Sequence, residues 1–347
     1  MLPTLLRFSR GVANLYCLLV VAAAPALAAP ELGESLVLGW ETAAYRRAVE
    51  SGGPGKDGIP SIDKPQFWDA ARAGEYLRGN DIVFGVYQNG LARAYPQRIM
   101  VWHEIVNDDF NGDKLSITYC PLTGTAQGFF RGDTELGVSG RLLNSNVVMY
   151  DRATDSWWSQ ILATAIRGPL EGKTLAEARV VWTTWKRWLE RYPETEVLSS
   201  RTGHARNYFR DPYGGYNPVE GYYRRDTLPM FQVMNYDDRY PAKQVILGFR
   251  TADIAVAVNR ETLRQQRLLS HVANGEHFYV VYDPGLDTGW GFRAGEAVDI
   301  DYDSLSFDAG GVEGLPSGLA PVVAIDAMWF AWAAFYPRTR VIDDSAR

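Results

Sequence analysis

Asn111-Gly112 falls between two runs of alternating apolar residues, VWHEIVNDDF and DKLSITYC, and no other feature narrows the possible folds as much. Asn-Gly suits a two-residue type I′ hairpin, because both turn positions need a positive φ. The dipeptide returns at Asn274-Gly275, 163 positions later. At that spacing Gly85, Ala92, Ala94, Tyr119, Pro121 and Gly128-Phe129 match Gly248, Ala255, Ala257, Tyr282, Pro284 and Gly291-Phe292. Further on the spacing falls to 144, where Trp185, Trp188 and Tyr192-Pro193 match Trp329, Trp332 and Tyr336-Pro337. The expectation is a β-rich α+β fold of two similar lobes made by an internal repeat. Each lobe is then a hairpin sheet, or β meander, with a tryptophan-bearing helix.

The turn also fixes a register. With Phe110 opposite Asp113, facing residues sum to 223, so Val106 meets Ile117, Ile105 meets Thr118 and His103 meets Cys120. Trp102, Val106, Phe110, Leu115, Ile117 and Tyr119 then share an apolar face, on which Glu104 and Asp108 are exceptions. His103 and Cys120 fall on the other, polar face as cross-strand neighbours, about 5 Å apart at Cβ.

The chain divides into residues 1–28 as a signal peptide, 29–79 as an arm and helix, 80–200 as a first lobe, 201–243 as a connector and 244–347 as a second lobe. The signal reading rests on Arg7 and Arg10, an apolar run from Val12 to Ala24, and the small-residue site Ala26-Leu27-Ala28. That run is too short and too interrupted for a membrane span, and nothing after it is long and apolar enough for one. Cleavage near Ala28 leaves a periplasmic or secreted chain with a net charge near −8, which argues against a nucleic-acid partner or an anionic membrane surface. Helices are expected at 41–51, 64–77 and 174–192 from apolar spacing. The connector, dense in Tyr, Gly, Pro and Arg, reads as an ordered loop covering a surface.

With Cys17 inside the signal, Cys120 is the one cysteine left, so it has no disulfide partner within the chain. The second copy carries Gln266 and Asp283 where the first has His103 and Cys120, and it lacks the counterpart of Gly140–Arg152. The scaffold recurs and the polar constellation does not, which marks the first lobe as the place of any chemistry. Three readings stay open. In the first, His103, Cys120, Met149 and Glu104 hold a soft metal, copper above all, for binding or redox work. In the second, Cys120 is the nucleophile of a hydrolase or transferase with His103 as base, and Asn144, Asn146, Tyr150 and Gln160 surround the site. In the third, Tyr150, Trp157, Trp158 and the 208–223 loop stack on a sugar or a small aromatic without chemistry.

HEIVND, TYCPLTGTA, SGRLLNSNVVMYDR, WSQ and GPLEGKTL resemble the hallmark blocks of the prokaryotic family catalogued as domain of unknown function 3179. The resemblance covers most of the chain and implies an exported or membrane-associated protein with no established activity. Members resembling this chain often carry CPLCG in the second block. Thr123 stands at that second cysteine here, which removes a C-x-x-C redox pair.

Overall fold

The computed structural model describes residues 29–342, and the expected signal with its cleavage site lies outside them. The fold is β-rich, with six short α-helices among the described residues: α1 (Thr42–Ala48), α2 (Ala70–Gly74), α3 (Gln97–His103), α4 (Trp185–Arg191), α5 (Arg260–Gln266) and α6 (Trp329–Phe335). No helix among the described residues is long and apolar enough to cross a membrane.

In the first half, strands Ile82–Gln88 and Leu91–Pro96 form a hairpin, flanked by Val181–Thr184 antiparallel on one side and Glu196–Leu198 parallel on the other. After α3, strands Ile105–Phe110, Asp113–Cys120 and Thr125–Phe130 make a second sheet, and Leu136–Leu143 with Asn146–Asp151 belong to a third. In the second half, Val245–Arg250 and Ala255–Asn259 pair between Ala324–Met328 and Arg340–Ile342, and α5 leads into Leu268–Ala273, Glu276–Asp283 and Thr288–Ala294. Both Asn-Gly pairs sit at turns with positive φ, 52° and 103° in the first and 51° and 83° in the second.

The pairing of strand 105–110 with 113–120 has the expected register, from Phe110 opposite Asp113 to Ile105 opposite Thr118. Val106, Phe110, Leu115, Ile117 and Tyr119 are fully buried in one core cluster. Of the other face, expected to be polar, Asn107, Ser116, Thr118 and Cys120 are buried as well, while Asp109 is exposed. Asn107 bonds to Asp63 and to the Leu136 carbonyl, and Ser116 donates to Asn107. Buried polar groups persist when they are bonded in this way.

All three expected helices are shorter than their sequence pattern. Of 41–51 only α1 is helical, and Glu50–Ser51 pairs with Leu142-Arg141. Of 174–192 only α4 is helical. Val181, Trp182 and Thr183 extend as a strand opposite Gly85, Phe84 and Val83, where β-branched and aromatic side chains pack well. Of 64–77 only α2 is helical, capped by Asp69, whose carboxylate accepts from the Arg72 amide, while Phe67-Trp68 pairs with Leu198-Val197.

The tryptophan helices pack on strands of their own half. Trp188 and Trp332 are fully buried, and each indole N–H donates to a threonine seven residues on, Thr195 at 2.9 Å and Thr339 at 2.8 Å. The rings lie flat against glycine backbone. A Cβ on Gly85 would sit 2.1 Å from Trp188, and one on Gly248 would sit 2.2 Å from Trp332. Replacing either glycine by alanine is therefore expected to lower unfolding free energy by about 1–3 kcal/mol through overpacking. Gly295→Ala, which meets open space, is the control and stays within about 0.5 kcal/mol by urea denaturation.

Candidate functional site

The pairing of His103 with Cys120 does not form. The ladder stops at Ile105–Thr118, because His103 is the last residue of α3 and Glu104 takes a left-handed turn, φ 59°, between helix and strand. The carbonyl of Glu104 still accepts the Tyr119 amide at 2.7 Å, and Cys120 lies opposite Thr125 on its other side. His103 is instead a latch. Its Nδ1 lies 2.8 Å from the Pro60 carbonyl, which only accepts, so Nδ1 carries the proton. Its Nε2 then accepts from the Tyr208 hydroxyl at 2.7 Å, and its ring leans on His204. Both ring nitrogens are thus engaged away from the sulfur, and the arrangement does not fit His103 as base or ligand for Cys120.

Burial, ahead of the nearby charges of His204 and Arg206, pulls His103 down to about 4, against the Pro60 bond that opposes it. The unfolded chain takes up this proton near pH 6.5 and the folded one only near 4, so stability is lost as pH falls through that window. The expected loss is on the order of 3 kcal/mol between pH 7 and 4, and His103→Gln should flatten that part of the pH–stability curve.

Glu104 and Cys120 are neighbours along the hairpin, since the Glu104 carbonyl accepts from the amide of Tyr119, the residue before Cys120. Cys120 is fully buried, and its thiol donates weakly to the Ser145 carbonyl at 3.7 Å. Glu104 is 6% exposed, in a chain segment that turns from α3 into the hairpin. Burial raises its carboxyl to about 8. Burial and then the charge of Glu104 push the thiol up to about 12, against bonds from Thr123 and the Val147 backbone. At the corresponding junction of the second half Arg267 has φ 64°, and its carbonyl accepts the Tyr282 amide at 2.7 Å. The left-handed turn therefore belongs to the junction in both halves and is no mark of function. What differs is the side chain: Arg267 reaches out to Asp303, whereas Glu104 is enclosed.

The connector covers this site. Tyr222 donates to the Leu122 carbonyl at 2.8 Å, Ser145 donates to the Phe231 carbonyl, and the Met234 amide donates to Asn144 Oδ1 at 2.8 Å. Tyr213 is raised by burial and then by the charges of Glu104 and Cys120. Asn144 and Ser145 form the tight turn from strand 136–143 into 146–151, and Asn144 Nδ2 is buried with no partner. Asn146 and Gln160 are structural. Asn146 donates to Thr123 and Gln160, and Gln160 donates to Thr118 and to the Thr125 carbonyl, a satisfied network that holds the turn after Cys120.

The remaining expected residues lie elsewhere. Met149 is fully buried in its strand opposite Trp158 and Val138, as a core side chain. Tyr150 is 4% exposed, with its hydroxyl on Asp57 and Lys56 over its ring. Trp158 is fully buried and donates to Asp151, so it offers no stacking face, and Trp157 is clasped between Arg141 and Arg167. Among the described residues no three of His, Cys, Asp and Glu gather as a metal-holding group. Asn144 is a residue the sequence places around the site, and Tyr213 falls in the 208–223 loop; what the sequence does not signal is that the Asn144 amide nitrogen is buried without a partner. The 201–243 composition was the one available pointer to the cover.

A family model described as protein of unknown function, DUF3179, matches residues 56–339. No curated protein and no solved structure matches the chain.

Proposed function

Because the chain belongs to the DUF3179 family, whose description assigns no activity, we propose a function from its own chemistry: proton-coupled uptake of a soft cation by Cys120 and Glu104. One observation carries this reading. Two groups that become anionic on losing a proton are buried where α3 hands over to the hairpin, Glu104 bonded through its carbonyl to Tyr119, the residue before Cys120, and burial favours the neutral form of both. Burial keeps both neutral at pH 7, and an arriving cation favours the charged form of both. The donor set is one thiolate and one carboxylate, with the Ser145 carbonyl beside the sulfur. With His103 and Met149 engaged elsewhere, preference for a soft ion rests on the sulfur, and copper(I) is the first ion to test.

The test is retention of copper(I) against a chromogenic chelator, with zinc(II) as comparison. Wild type and His103→Gln are expected to retain copper, whereas Cys120→Ser and Glu104→Gln lose it. Equal retention in all four proteins overturns the reading. A second reading uses the same pair as nucleophile and base, supported by the Glu104 pKa of about 8, close to neutral working pH. It ranks second because moving the proton from a thiol near 12 to a carboxyl near 8 is uphill by about 5 kcal/mol.

Two further parts of the reading rest on sequence and element order. Export follows from residues 1–28, and a mature protein beginning at Ala29, by mass spectrometry, is the expected result. Duplication of one ancestral unit is supported by the shared left-handed junction, the paired Asn-Gly turns and the paired glycine–tryptophan contacts. In this reading the second copy keeps the scaffold and has lost the thiol, with Asp283 there used to cap its own turn at Gly285 and Leu286.

A further inference from the structure

A cavity of about 280 Å³ opens between the two halves, walled by strand 181–184 and α4 on one side, the connector above, and α5 on the other. Its lining is cationic in a chain whose formal net charge is −6. Three of its arginines are neutralised by carboxylates: Arg225 by Glu261, Arg260 by Asp326 and Arg264 by Asp287. The other two cations are not. Lys243 is 2% exposed, and its ammonium donates to the Tyr222 carbonyl and to Thr227 Oγ1 and lies over the Tyr222 ring. No carboxylate pairs with it among the described residues, and two of its three N–H donors are used. Arg187 donates to the carbonyls of Pro284 and Gly285, again with no acid.

Buried charges are ordinarily paired, because an isolated ammonium loses several kcal/mol of hydration on leaving water. The uncompensated lysine is consistent with a site whose counter-charge arrives with a ligand, and burial lowers its pKa to about 8 in the present state. The rest of the wall is mixed, with Thr183, Thr184, Gln244 and Asn259 beside an aromatic and aliphatic patch. Trp182 and Tyr216 meet edge to face with centroids 5.3 Å apart, and Tyr216 stacks on Tyr223 at 4.1 Å.

We propose that this cleft binds a small organic anion, with its oxyanion group held by Lys243 and Arg187 and its apolar body against Trp182 and Tyr216. The site is separate from the Glu104–Cys120 pair and does not depend on that reading. Benzoate is the probe and benzamide its neutral counterpart, titrated by calorimetry into the full-length mature protein. Benzoate is expected to bind and benzamide to bind at least about tenfold more weakly, the worth of one charge-assisted contact. Lys243→Met and Arg187→Gln should each weaken benzoate by about tenfold on the same ground. Arg187 stands at the rim and is the variant that answers if Lys243→Met fails to fold. Copper retention should be unchanged in Arg187→Gln, so this proposal and the metal reading fail separately. Absence of benzoate binding, equal binding of benzamide, or undiminished binding in Arg187→Gln overturns the proposal.

Discussion

Glu104→Gln is expected to raise stability at pH 8.5 by on the order of 3–5 kcal/mol relative to its effect at pH 4.5. The carboxyl titrates near 4.5 in the unfolded chain and near 8 in the folded one. Below 4.5 both states hold the proton and the group contributes nothing. Between 4.5 and 8 the folded state holds a proton that the unfolded state has released, so stability falls as pH rises, and above 8 the full penalty of a buried carboxylate applies. Glutamine keeps the shape and removes the titration. His103 acts in the opposite direction below pH 6.5, so the difference between wild type and variant at each pH isolates Glu104. Urea denaturation from pH 4.5 to 8.5 is the measurement. Parallel curves would mean that the carboxyl is not enclosed.

Cys120 is expected to be slow toward alkylation. At pH 8 an ordinary thiol near 8.5 is about a quarter thiolate, whereas one near 12 is about one part in 10⁴, so iodoacetamide should react about 10³-fold more slowly with folded than with urea-unfolded protein. Burial of the sulfur adds to that factor. Labelling of the native protein at the unfolded rate would show a thiolate already activated, and would turn the account toward the nucleophile reading.

The sequence carried the hairpin because Asn-Gly states its backbone conformation outright, and the register followed from pairing across that turn. The end of the ladder was not legible. A left-handed residue is normally signalled by glycine or asparagine, and here it is Glu104 in one half and Arg267 in the other. One residue of helix therefore moved His103 off the strand and onto Pro60 and Tyr208. The polar face of the hairpin misled in a different way. Asn107, Ser116 and Thr118 alternate as solvent-facing residues do, yet each is bonded within the fold, and single-sequence pattern does not distinguish bonded polar groups from hydrated ones. The thiol was visible as a lone cysteine. Glu104 was visible as an exception on an apolar face and as a candidate ligand, and in the fold it is buried at the head of the same hairpin.

The most direct measurement is the number of protons released when copper(I) binds at pH 7, obtained by calorimetry in buffers of different ionisation enthalpy. With the thiol near 12 and the carboxyl near 8, both carry protons at that pH, and binding should expel close to two. Glu104→Gln should release at most one proton if it binds at all, and Cys120→Ser should not bind. Copper bound by wild type with no proton release, or release unchanged in Glu104→Gln, would contradict the account.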